Sequence, residues 1–209
     1  MKNLKNREAI FWDFDGVILN SMPIREKGFR VVLSSYPQED IDKLIAYHNE
    51  NGGLSRYVKF KYFFNHIRNE FETEKVEALL ANQFSSIMRE LLLDEQLLNL
   101  EVLNFIKTNS HIKMHIVSGS DEEELRYLCS KLNIQSLFET IQGSPTPKNE
   151  LVEKLLSTYN YSKENICLIG DSINDFQAAN INNLDFFGYN NTDLMALDGY
   201  YIKSFDEYS

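Results

Sequence analysis

The chain has 209 residues, 43% hydrophobic and 12% aromatic, enough for one full domain plus a smaller insertion around a substantial core. Its net charge of −10 sets the overall field against a basic groove for nucleic acid or an anionic membrane surface. A small phosphorylated molecule stays compatible, because a local lysine, backbone amides and a bound cation outweigh a distant acidic surface.

Cys129 and Cys167 have neither disulfide-framework nor zinc spacing, so reduced structural thiols are expected. No run of about 18 apolar residues occurs, and the opening MKNLKNREAIFW lacks the apolar region and cleavage pattern of a signal peptide. The expectation is a cytoplasmic protein, monomer or homodimer, without nucleic-acid or membrane partners.

In chain order, residues 9–14 form a short run that is apolar on both faces, the pattern of a buried parallel strand. About ninety residues then separate it from the next such run, far more than one crossover helix needs. They read as helices over 21–35, 38–50, around 56–69 and over 72–92, the last with Val76, Leu79, Leu80, Phe84, Ile87 and Met88 at period 3.6. The reading is an inserted helical domain over 20–92, hinged near Asn20 and Leu93, with 1–19 and 93–209 forming the main domain. Its aromatic cluster, Tyr57, Phe60, Tyr62, Phe63, Phe64 and Phe71, is expected to be core rather than a base-stacking platform.

Strand-like runs at 113–118, 165–170 and 185–189 follow, with helical segments after Ser120, over 150–159 and over 174–180. The alternation predicts a doubly wound, mostly parallel α/β sheet. The acidic run Asp121, Glu122, Glu123 and Glu124 favours a helix start through the dipole.

Ligands of such a sheet bind outside the carboxyl ends of the strands, so the polar residues that end each run are the site candidates. The first run ends in Asp13-Phe-Asp15-Gly16, the second in Ser118-Gly119-Ser120, the third in Gly170-Asp171, with Asp175 one turn further on. Gly16 permits a sharp turn between two differently employed carboxylates. Asp13 suits a nucleophile towards phosphorus, since the acyl phosphate it forms is readily hydrolysed. Asp15 suits a general acid and base. Asp171 completes a hard-oxygen site for Mg²⁺, and Asp175 supports it through water. Ser118, with the amides of Gly119 and Ser120 at a helix N-terminus, binds phosphoryl oxygens, and Lys148 supplies compensating positive charge. Each alone has an ordinary explanation as a loop, a turn or a surface lysine; their order along the chain carries the reading. His48, His66, His111 and His115 sit in no metal or triad spacing and receive no chemistry.

These residues resemble the four motifs of the haloacid dehalogenase superfamily: AIFWDFDGVILNS, HIVSGS, the lysine of SPTPKNELV, and CLIGDSINDFQAA. The resemblance implies an aspartyl-phosphate mechanism with metal ligands from the Asp13 side chain, the Asp15 backbone carbonyl and Asp171. It also implies phosphatase rather than dehalogenase chemistry, since the dehalogenase branch lacks the second aspartate. The insertion resembles the helical cap of the phosphoglycolate phosphatase and β-phosphoglucomutase group. There Gly53, Ser55 and Arg56 match a loop that faces the active site, with Arg56 meeting a substrate anion; the alternative is a glycine turn and a helix start with an exposed arginine. Two departures stand out. Pro145 and Pro147 precede Lys148 where the family usually has Lys-Pro, and Gly52 stands where the mutase loop has a lysine. The expected function is a Mg²⁺-dependent phosphatase for a small phosphomonoester, a sugar phosphate or a phosphoglycolate-like acid. A phosphomutase is the alternative, and a non-enzymatic binding protein a third.

Overall fold

A computed structural model of the chain describes residues 4–70 and 74–208. Six parallel strands form one sheet: β1 (Ala9–Trp12), β2 (Lys113–Asp121), β3 (Thr140–Ser144), β4 (Ile166–Gly170), β5 (Asp185–Tyr189) and β6 (Tyr200–Ile202). Their order is β3-β2-β1-β4-β5-β6. β1 is central, with Trp12 in register with Ile116 on one side and Ile169 on the other. The chain builds outward from β1 through β2 and β3, then returns to lay β4, β5 and β6 on the opposite side. The crevice between β1 and β4 is therefore a topological switch point.

The side chains of β1 alternate between the faces, as the two-residue period requires. Ile10 and Trp12 join the core beneath α5 (Leu100–Thr108) and α6 (Glu122–Lys131), while Ala9 and Phe11 join that beneath α7 (Lys148–Tyr159) and α8 (Ile173–Ile181). All four are fully buried, which is why the run carries no polar residue. Trp12 satisfies its indole by donating Nε1–H to Met114 Sδ at 3.2 Å. Cys129 and Cys167 are free and buried, and burial pushes both thiols up to about 12.

Four helices stand between β1 and β2: α1 (Met22–Val32), α2 (Gln38–Glu50), α3 (Arg56–Tyr62) and α4 (Glu74–Leu91). A π-helical turn, Phe63–Arg68, continues α3 and ends at Asn69 in the left-handed region (φ 52°). Phe29 is their packing centre, 4.4 Å from the Phe84 ring and 5.4 Å from Phe60. Gly28 lets α4 close in, since a Cβ there would lie 2.5 Å from Met88 Cε. Phe60, Phe63 and Phe64 are buried and Tyr62 stacks on Tyr47, whereas Phe71 and the first residues expected of the fourth helix lie outside the described residues. The two segments joining these helices to the sheet run side by side, Asn20 N donating to Leu97 O and Asn99 N to Ile18 O. No described helix is long and apolar enough to cross a membrane.

Several boundaries differ from expectation. β1 stops at Trp12, not residue 14, because the chain turns at Asp13 to bring the second aspartate into the same crevice. β2 runs past Ser118 to Asp121, and α6 starts only at Glu122, capped by the Asp121 side chain. The amides of Gly119 and Ser120 thus belong to an irregular strand end, not a helix N-terminus. The strands β3 and β6 and the helix α5 were not read from the sequence.

Candidate active site

The turn after β1 delivers both aspartates. Asp13 N donates to Ile169 O at 2.9 Å, and Gly16 N to Leu19 O at 2.8 Å. Gly16 has φ +75°, and a Cβ on it would lie 1.9 Å from Asp171 Oδ2. Only glycine leaves the space that the Asp171 carboxylate fills. Asn190 and Asn191, just after β5, fasten the two loops by donating to Gly16 O and Asp171 O, each at 2.8 Å.

Asp13 is 3% exposed and lies 2.8 Å from Lys148 Nζ. Burial pushes its carboxyl up to about 7, and the charge of Asp175 adds to this against the opposing pull of Lys148. Asp171 is held well above the carboxylate range by burial and by the charges of Asp13 and Asp175. Burial alone would lower the Lys148 ammonium, but Asp13 and Asp175 together hold it above its ordinary value.

One oxygen each from Asp13, Asp171 and Asp175 lie within 4.8 Å of one another. Asp175 is fully engaged, however. One oxygen pairs with Lys148, the other accepts from Ser172 N at 3.0 Å and Ser172 Oγ at 2.6 Å, a capping box that starts α8. Besides its place in this acidic group, Asp175 therefore holds Lys148 against Asp13.

Asp15 is buried, and its carboxylate is not free. Oδ1 accepts from Ser21 Oγ and from Arg25 Nε at 2.6 Å, and Oδ2 accepts from Ser120 Oγ. Burial works the other way, yet Arg25 and the two serines hold Asp15 below the usual carboxylate range. Arg25 also donates to Glu124 Oε1 at 2.9 Å, and Arg56 donates to Glu124 Oε2 at 2.6 Å. Glu124, on α6, is fully buried between Arg25 of α1 and Arg56 of α3.

Arg56 is 4% exposed, stands 4.8 Å from the Phe84 ring centre and also donates to Ser85. That rules out the exposed arginine; Nη1 is taken by Glu124 and Ser85, while Nη2 is buried without a hydrogen-bond partner among the described residues. The sequence placed no partner there because Glu124 is 68 residues away.

The loop between α2 and α3 roofs the crevice. A Cβ on Gly119 would lie 2.1 Å from Gly53 O, and one on Gly53 2.7 Å from Ser172 Oγ. Ser55 caps α3 by accepting from Val58 N, and Tyr57 donates to Asp121 at 2.8 Å. Beneath the roof is a cavity of about 20 Å³, whose walls include Asp13, Asp15, Arg25, Arg56, Lys59 and Ser118. Ser118 is buried, its Oγ accepting from Ser120 N at 3.2 Å.

Thus Asp13, Asp15, Ser118, Gly119, Lys148, Asp171 and Asp175 converge at the strand ends, with Arg56 in the cavity wall. Sequence reasoning missed Ser21, Arg25, Lys59, Glu124 and the Ser120 side chain. It also set aside His48, which lines the cavity.

A family model described as haloacid dehalogenase-like hydrolase matches residues 10–189, which span every one of these side chains. The chain belongs to the haloacid dehalogenase-like hydrolase family. Among solved structures, it is similar to a predicted phosphatase from Clostridium acetobutylicum (TM-score 0.77, 15% identity, 96% of this chain and 95% of that one). It is similar also to a β-phosphoglucomutase from Clostridium difficile (TM-score 0.77, 16% identity, 97% and 93%). A predicted phosphoglycolate phosphatase from Haemophilus somnus matches with TM-score 0.74 at 17% identity over 97% and 96%. No curated protein matches in sequence. At these identities the likeness shows a shared fold.

Proposed function

We propose that this hydrolase is a magnesium-dependent phosphatase that cleaves a small phosphomonoester through a phosphorylated Asp13. The observation that carries the reading is the placement of Asp13, a buried carboxylate at the switch point, 2.8 Å from Lys148, with Asp15 two residues on. The family membership and the phosphatases among similar structures support it.

The residues present fit Mg²⁺. Asp13 and Asp171 are crowded carboxyls, each raised by burial and by neighbouring negative charge, a donor set that a small divalent cation with hard oxygen ligands would relieve. Their side chains, with the Asp15 backbone carbonyl, would hold the ion, and it would supply positive charge between the nucleophile and the incoming phosphoryl group.

A carboxylate oxygen of Asp13 attacks phosphorus, and the bond from phosphorus to the leaving oxygen breaks. Asp15 gives its proton to that oxygen. Water then attacks the phosphorus of phosphorylated Asp13 while Asp15 takes its proton, releasing inorganic phosphate and restoring the carboxylate. Lys148 and Ser118 hold the phosphoryl oxygens, and Asp175 keeps Lys148 in place.

The cavity of about 20 Å³ has room for roughly one water, so substrate enters only after the loop carrying Gly53 and the arginines Arg25 and Arg56 withdraw. Withdrawal also frees Asp15 from Arg25, and closure then excludes bulk water.

The test is phosphate release from p-nitrophenyl phosphate. Release that requires Mg²⁺ and disappears in Asp13→Asn is expected; an active Asp13→Asn protein overturns the nucleophile. Interconversion of sugar 1- and 6-phosphates without free phosphate would make the protein a phosphomutase.

A further inference from the structure

The basic side chains that the insertion turns towards Asp13 and Asp15 are not equivalent. Arg25 is neutralised by Asp15 and Glu124, and Arg56 by Glu124. Lys59 is different. It is 2% exposed and lines the same cavity, yet no carboxylate lies within ion-pair distance of it among the described residues. Its contacts are neutral: His48 Nδ1 at 2.8 Å and Gly52 O at 3.2 Å.

An ammonium donating to His48 Nδ1 requires that nitrogen to be bare, which puts the imidazole proton on Nε2. Burial, with the positive charges of Lys59 and Arg25, drops His48 to about 2, so the ring is neutral throughout the working range. Its Nε2 is buried with no hydrogen-bond partner, and Lys59 uses two of its three N–H groups.

In the wall of the cavity that holds Asp13, His48 Nε2, Arg25 Nη2 and Arg56 Nη2 are buried without a hydrogen-bond partner among the described residues, and of the three cations there Lys59 alone has no carboxylate partner. A buried ammonium without a counter-charge is costly unless an anion meets it for part of the cycle. Burial depresses the Lys59 ammonium to about 7 against the pull of Asp15, and a bound anion would favour its charged form.

We infer that Lys59 and His48 form a subsite in the helical insertion for an anionic substituent of the substrate, a carboxylate on the group that leaves with the phosphate ester oxygen. This rests on the phosphatase reading of Asp13 and deepens it. Lys59, which no carboxylate neutralises, is the residue that meets it, whereas Arg25 and Arg56 already pair with Asp15 and Glu124.

The experiment compares 2-phosphoglycolate with 2-hydroxyethyl phosphate, which differ by a carboxylate against a hydroxymethyl group. Wild-type kcat/KM should favour the acid by at least about tenfold, the scale of one hydrogen bond to a charged group. In Lys59→Met that ratio should fall by roughly 10- to 100-fold, mainly through KM, while Lys59→Arg restores part of it and His48→Phe loses a smaller share. A structural role for Lys59 would lower both rates together and leave the ratio unchanged, which would overturn the subsite.

Binding of phosphonoacetate and 2-hydroxyethylphosphonate to the wild-type protein with Mg²⁺, measured by calorimetry, needs neither turnover nor a folded variant. Preference for the carboxylate is expected, and equal affinity overturns the inference. Failure of the phosphatase reading would show separately, as no phosphate released from p-nitrophenyl phosphate.

Discussion

Arg25 Nε lies 2.6 Å from Asp15 Oδ1, so a residue of the helical insertion holds the carboxylate proposed to carry the proton. The same guanidinium reaches Glu124 on α6, which ties proton transfer to the position of the insertion. In the closed state Asp15 is kept ionised. It can act as an acid only when Arg25 has moved or substrate has displaced it.

Arg25→Met should shift the pH dependence in a definite direction. Arg25 is the main group holding Asp15 low against burial, so its removal raises that carboxyl. A general acid works below its pKa, and the alkaline limb of kcat/KM should therefore move to higher pH. A pH–rate profile from 5 to 10 measures this, and an unmoved alkaline limb would contradict it.

Glu124 is the shared anion of two buried arginines. Glu124→Ala leaves both without it, and breaking such a buried network costs about 3–5 kcal/mol. Urea unfolding should show a loss of that order, while Glu124→Gln, which keeps acceptor geometry for one arginine, loses less. A midpoint unchanged in Glu124→Ala would contradict the arrangement.

Metal and pH should act on stability together. The Asp13 carboxyl rises from an ordinary 3.8 to about 7, and Asp171 is raised as well. A raised carboxyl contributes stability fully below its unfolded value and loses it as pH rises through the folded value. Without metal the protein should thus weaken between about pH 4 and 7. Mg²⁺ binds the ionised carboxylates, so its increase in melting temperature should be larger at pH 8 than at pH 5. A Mg²⁺ effect equal at both values would contradict the carboxylate site.

Gly16→Ala should disable the site more than the fold. The left-handed backbone costs about 1–2 kcal/mol with a Cβ, and that Cβ would stand 1.9 Å from Asp171 Oδ2. Activity should fall at least about 100-fold, as misplacement by 1 Å can cost. Near-normal activity with normal Mg²⁺ dependence would contradict the contact between these loops.

Much of this was legible in the sequence because β1 and β4 are buried on both faces. An apolar run that ends abruptly in Asp13 or Asp171 marks a strand end in a covered parallel sheet. The strand β3 was not legible: Thr140–Ser144 places three polar or glycine residues after one isoleucine, as an edge position allows. The contacts that close the insertion were hidden for a different reason. Arg25 to Glu124 spans 99 residues and Arg56 to Glu124 spans 68, and no local period encodes such pairs. The run 121–124 did announce a helix start, but not that its last carboxylate turns inward. His48 and Lys59 share the cavity wall only because α2 and α3 pack together, so neither carried a motif.

The most direct measurement is the covalent state of Asp13 during turnover. Protein acid-quenched while hydrolysing a substrate with a radiolabelled phosphoryl group should carry the label on the peptide containing Asp13, and Asp13→Asn should carry none. Rapid Mg²⁺-dependent phosphate release with no label on that peptide, or an Asp13→Asn protein that still turns over, would contradict the account.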